Sequence, residues 1–190
     1  MKNLKRMPAV VLLGLILLQC SPNNGWRTAS RESSKIAPDP AATIEAVLHV
    51  YGADTYGWRG WFAIHTWIAA KRTGEPAYTV YDVVGWRGRR GQPVLRIARD
   101  IPDRYWYGEK PRLIKAYRGK GVDSLIDLVD KAAQAYPWKT VYKGFPGPNS
   151  NTFTAWIVKQ VPELELELPF SAIGSGYMNQ AKGSSTSANK

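Results

Sequence analysis

The stretch Pro146-Gly147-Pro148-Asn149-Ser150-Asn151-Thr152-Phe153-Thr154-Ala155-Trp156 sets how the rest of the chain is read. Two prolines and a glycine end whatever precedes it, and Asn149, Ser150 and Asn151 are preferred N-cap types. Phe153, Trp156 and Ile157 then recur at helical spacing. A polar tripeptide therefore stands at a helix N-terminus, where unpaired N–H groups and the helix dipole favour an anionic nucleophile or a developing oxyanion. The simpler reading is that Ser150 or Asn151 only caps the helix.

Working backward, Ala46 to Tyr51 and Trp61 to Ala70 are apolar runs rich in β-branched residues, and Tyr78 to Trp86 and Pro93 to Ile97 continue the series. Gly- and Pro-containing turns separate them at Thr73-Gly74-Glu75-Pro76 and from Arg87 to Gly91, which predicts an antiparallel sheet. Leu113, Ile114 and Tyr117 suggest a brief helix after Pro111. Val122, Leu125, Ile126, Val129, Ala132 and Ala133 mark a longer amphipathic helix ending near Tyr136-Pro137. Sustained strand–helix alternation and internal repeats are both lacking, so the expected class is α+β, a sheet with packed helices.

The 190 residues, 44% of them hydrophobic, suit one core-forming domain, expected over residues 43–178. Residues 1–20 read as a signal segment: Lys2, Lys5 and Arg6 precede an apolar run from Pro8 to Leu18 that is short for a bilayer span. The only cysteine, Cys20, follows Leu17-Leu18-Gln19, which resembles the lipobox of bacterial lipoproteins, with Gln19 departing from the usual small residue. That resemblance implies an exported, lipid-anchored protein of the cell envelope; ordinary signal cleavage or an uncleaved anchor are the alternatives. Residues 21–42 read as a flexible tether and residues 179–190 as a disordered tail.

The formal net charge is +11, and removing Lys2, Lys5 and Arg6 leaves +8. In an exported protein that excess, concentrated in Arg87, Arg89, Arg90, Arg96 and Arg99, points to anionic lipid headgroups or an envelope polymer, or to a merely solvated surface, and away from nucleic acid. With Cys20 committed, no thiolate nucleophile, disulfide or cysteine metal site is available to the domain. Two histidines, His49 and His65, without clustered carboxylates call for neither a metal nor a cofactor.

His65 lies in Ala63-Ile64-His65-Thr66-Trp67-Ile68. Alternation puts it on one face with Ala63, Trp67 and Ala69, apolar enough that a hydrogen-bonded core histidine is the simpler reading. Together with Asn149-Ser150-Asn151-Thr152-Phe153 at a helix start, however, this strand resembles the circularly permuted branch of the NlpC/P60 papain-like superfamily. There a histidine strand precedes a nucleophile helix that often opens Asn-Cys-x-x-Phe, as in lecithin retinol acyltransferase-like proteins. Trp58 through Phe153, including Pro102-Asp103-Arg104-Tyr105-Trp106, also resembles a bacterial family of unknown function bearing the His-Thr-Trp and Pro-Gly-Pro-Asn-Ser-Asn-Thr-Phe motifs.

The papain-like resemblance implies a fold of that type, with Ser150 where the cysteine stands and His65 as the base. Serine needs a well-aligned base where cysteine would ionise readily, so the exchange fits either a Ser–His hydrolase or acyltransferase, or a noncatalytic descendant. A third group to orient the imidazole is sought on the following strand. Tyr81 and Asp82 are the candidates there, Asp82 being the better chemical partner and a surface charge its simpler explanation. Asn149 and Asn151 are candidate oxyanion donors, with capping as their alternative duty. Trp58, Arg104 and Trp106, in aromatic- and arginine-rich loops, are candidate contacts to a peptide, glycan or lipid.

Overall fold

Alternating apolar positions from Val47 onward give a strand buried on both faces, and the hydrogen-bonding edges of such a strand must be satisfied on both sides. The computed structural model describes residues 25–179 and provides both partners. In chain order the elements are β1 (Val47–Asp54), a 3-10 turn (Gly57–Trp61), β2 (Ile64–Lys71), β3 (Thr79–Val83), the single-turn α1 (Gly85–Gly88), β4 (Leu95–Arg99), β5 (Arg112–Arg118), α2 (Val122–Gln134), α3 (Ser150–Gln160) and a closing 3-10 turn (Pro162–Leu164). The strands form one antiparallel sheet in the order β4-β3-β2-β1-β5. The class is α+β, and among the described residues no helix is long and apolar enough to cross a membrane.

Two expectations are corrected. Leu113, Ile114 and Tyr117 do not form a helix; they lie in β5, which pairs with the free edge of β1. The register slips between Val50 and Tyr51, leaving Ile114 as the extra residue of a bulge. That bulge lets Ile114 and Tyr117, three apart, pack against the same core, which imitates helical spacing. The stretch from Gly25 to Pro40, read as part of a flexible tether, is fastened to the domain where described. Asp103, 1% exposed, accepts from Ser33 Oγ at 2.7 Å, Ser34 Oγ at 3.4 Å and the N–H groups of Ile36 and Ala37 at 2.7 and 2.9 Å. The expected signal segment and lipidation site, residues 1–20 with Cys20, and residues 180–190 lie outside the described residues.

The sheet has two covered faces. On one, Leu48, Val50, Ile68, Tyr81 and Val83 meet α2 and α3. Helix α2 contributes the stripe Val122, Ile126, Val129 and Ala133, spaced at three to four residues, and each such buried aliphatic is worth about 1.5–3 kcal/mol relative to exposure. On the other face, Val47, Tyr51, Trp67, Ala69, Tyr78 and Val80 are capped by Trp106 from the loop after β4. Trp67 Nε1 is anchored there by the carbonyl of Pro102, 2.8 Å away.

Candidate functional site

The pairing of β2 with β3 decides which residue meets His65. Ile68 pairs with Tyr81, so one step further along the register Asp82 falls opposite Trp67, on the face that His65 shares. Asp82 is fully buried rather than a surface charge, and His65 Nε2 donates to its Oδ1 at 2.8 Å. Its second oxygen accepts from Arg104 Nη2 at 2.7 Å. Arg104 also pairs with Asp100, which in turn holds Arg96 at 2.7 Å, so a chain of alternating charges runs from His65 outward. Burial alone pushes the Asp82 carboxyl up, but His65, Arg104 and Arg96 together outweigh it and hold it below the usual carboxylate range.

An ionised Asp82 can only accept, so the proton on its side of the ring sits at Nε2. In the neutral ring the lone pair is then at Nδ1, which has no hydrogen-bond partner among the described residues. Trp106 lies flat on the imidazole, with centroids 3.5 Å apart and planes within 3°. Ring position and tautomer are thus both set by neighbours. Tyr81, considered alongside Asp82, points to the opposite face, packs in the helix-side core and donates to Asp130. Arg104, expected in a ligand loop, is instead taken up by Asp82 and Asp100.

The start of α3 is built with equal economy. Asn149 is the N-cap: its Oδ1 accepts from Thr152 N at 3.1 Å, while Thr152 Oγ1 accepts from Asn149 N at 3.1 Å. Its amide is used on the carbonyls of Gly144 and Ile173, each 3.0 Å away. Asn151 donates to Ile64 O and Ile173 O at 2.9 Å and accepts from Thr66 Oγ1 at 2.9 Å. Both side-chain amides are therefore occupied in fastening the helix to β2 and to the C-terminal segment. What stays free is the first turn itself. The N–H groups of Ser150 and Asn151 and the Ser150 hydroxyl make no hydrogen bond among the described residues.

His65, Ser150, Asn149 and Asn151 line one open cleft of about 1360 Å³. Thr66, next to His65, hydrogen-bonds Asn151 and Thr154 of α3, so His65 belongs to the other face of β2 and reaches the cleft around the strand's end. No hydrogen bond joins His65 to Ser150. Trp58 and Trp106 line the cleft. Sequence reasoning did not single out Arg31, Tyr142 or Phe145, which line it as well. Among the described residues no group of three or more His, Cys, Asp or Glu gathers as a metal site.

Residues 45–177 match the family described as "protein of unknown function (DUF3750)". The chain belongs to that family. The match covers β1 through α3 and beyond, so the His65–Asp82 pair and the Ser150 helix both lie within the DUF3750 domain. No curated protein and no solved structure matches the chain. None of these comparisons gives a likeness to NlpC/P60 proteins. Chemically, the DUF3750 domain places an oriented imidazole, a free hydroxyl and two free backbone donors around one opening, the parts that acyl transfer needs.

Proposed function

We propose that this chain is an exported acyl-transfer enzyme of permuted papain-like type, held at the cell-envelope membrane through Cys20. In this reading Ser150 Oγ attacks the carbonyl of an amide or ester while His65 Nδ1 takes the hydroxyl proton. The N–H groups of Ser150 and Asn151 receive the developing oxyanion. As the tetrahedral species collapses, the carbon–nitrogen or carbon–oxygen bond breaks and the leaving amine or alcohol takes the proton back from His65. Water or another acceptor then repeats the sequence on the acyl-serine and frees Ser150.

The observation that carries this reading is the pinning of His65 Nε2 by a buried carboxylate, with Nδ1 unpartnered among the described residues and the residue lining the same cleft as Ser150. The carboxylate fixes the tautomer in which Nδ1 is the accepting nitrogen, the form a general base needs. The second reading is a noncatalytic module that uses the cleft to bind peptide, glycan or lipid. It is favoured by the lack of a direct Ser150–His65 hydrogen bond and by their origin on opposite faces of β2.

Labelling with serine-reactive fluorophosphonate and acyl probes separates the two. Catalysis requires a labelled wild type, with labelling lost in Ser150→Ala and His65→Ala variants whose circular dichroism is unchanged. A wild type that stays unlabelled across the probe set, or labelling that survives Ser150→Ala, refutes the enzyme.

A further inference from the structure

Ten of the twelve arginines among the described residues, all but Arg27 and Arg87, fall into two groups. Arg72, Arg96, Arg99, Arg104, Arg112 and Arg118 each hold an Asp or Glu. Arg31, Arg59, Arg89 and Arg90 line the cleft, and none of these has an acidic partner among the described residues. Among the described residues, no Asp or Glu lines the cleft. Three of the four are laid against aromatic rings instead: Arg31 over Tyr107 at 4.5 Å, Arg59 over Trp58 at 5.4 Å and Arg90 over Trp86 at 4.8 Å. Such stacking aligns a guanidinium without neutralising it, and its donors remain available to an anion.

Apolar surface lies beside this positive field. Trp58, Phe62 and Phe145, 65%, 52% and 79% exposed, line the same opening. Exposed aromatic rings interleaved with arginines are the composition that settles at the boundary between lipid headgroups and acyl chains. A neutral sugar stacks on the rings but leaves the four arginines without a counter-charge, and a soluble anion engages the arginines but leaves Phe62 and Phe145 in water.

From this juxtaposition we infer that the cleft binds an anionic phospholipid, its phosphate among Arg59, Arg89 and Arg90 and its first acyl carbons against Trp58, Phe62 and Phe145. The inference deepens the acyl-transfer reading by naming the class of molecule that enters the site. It also stands without that reading, because no cleft arginine is assigned to the chemistry.

The test is tryptophan fluorescence titration of the full chain with dihexanoyl phosphatidylglycerol, dihexanoyl phosphatidylcholine, glycerol phosphate and a poly-glutamate peptide. Phosphatidylglycerol is expected to bind at least about tenfold more tightly than the other three, since each basic side chain near an anionic headgroup adds about a factor of five. The combined Arg59→Gln, Arg89→Gln and Arg90→Gln variant should bring phosphatidylglycerol to the level of phosphatidylcholine. Arg99→Gln, outside the cleft, should leave the preference intact. Equal affinity for the two lipids, equal affinity for glycerol phosphate or the peptide, or the same loss in Arg99→Gln each overturns the inference. The titration is repeated in Ser150→Ala. Selective binding there, with no probe labelling in the wild type, rejects the enzyme and keeps the lipid site, whereas labelling without lipid selectivity does the reverse.

Discussion

Replacing Asp82 by asparagine keeps the size of the side chain and removes the charge between His65 and Arg104. The carboxylate is fully buried and holds both partners, at 2.8 and 2.7 Å. Asparagine can still accept from His65 Nε2 through its oxygen, but its amide then faces the Arg104 guanidinium, donor against donor. Breaking a buried ion pair from one side costs about 3–5 kcal/mol, and because Arg104 keeps Asp100 the expected loss is about 3 kcal/mol. For a domain of this size that lowers Tm by roughly 6–12 °C. The pH dependence supplies a second, independent check. The Asp82 carboxyl titrates lower in the folded than in the unfolded chain, so its stabilisation is complete above the unfolded value of about 4 and is lost as pH falls through the folded value. Urea unfolding of wild type and Asp82→Asn, followed by circular dichroism, should show the full gap at pH 7 and a smaller one at pH 3. A gap under about 1 kcal/mol at pH 7, or one that is the same at both pH values, refutes the charge-network account.

Other perturbations test neighbouring parts of the structure. Gly174 has φ +95°, and a Cβ there would stand 2.4 Å from Asn149 Nδ2, so Gly174→Ala should cost about 1–3 kcal/mol through strain and a displaced helix cap. Gly176→Ala, with open space around it, should stay within about 0.5 kcal/mol in the same urea titration. His49 lies among Tyr51 and its neighbours with its pKa lowered to about 4, by burial first and then by Arg118. Staying neutral, it contributes stability above its unfolded value of about 6.5 that is lost as pH falls toward 4. His49→Gln should therefore flatten the wild-type decline between those two pH values, and an undiminished decline would assign it to other groups.

Much of this architecture is legible in the chain because it is periodic. The run through β1, the alternation around His65 and the stripe of α2 each repeat at the spacing their element imposes. Asn149, Ser150 and Asn151 announce a helix start through residue chemistry, although the cap is Asn149, boxed with Thr152, rather than Ser150 or Asn151. What failed to show is non-local. The bulge at Ile114 exists only because β1 offers an open edge, so Leu113, Ile114 and Tyr117 taken alone imitate a helix. The choice between Tyr81 and Asp82 depends on a strand register that the preceding turn leaves open. Likewise, the cleft arginines come from separated segments, around Arg31, Arg59 and Arg89-Arg90, that only the folded chain brings together. Arg104 looked like a binding residue because its partners Asp82 and Asp100 are positions on a fold, not neighbours in a motif.

The knot at Asp103 has a second side. One buried carboxylate gathers Ser33, Ser34, Ile36 and Ala37, and the next residue in the chain is Arg104, whose guanidinium grips Asp82 behind His65. Two residues further on, Trp106 lies against the imidazole itself. Going from Gly25 toward the sheet, the backbone links from Gly108 N to Ser30 O and from Tyr105 N to Glu32 O come first and the Asp103 knot follows, all of them made to the 103–108 loop. The ring of His65 sits at the far end of that loop, between Asp82 and Trp106, so the same few residues that fasten the N-terminal segment also frame the imidazole.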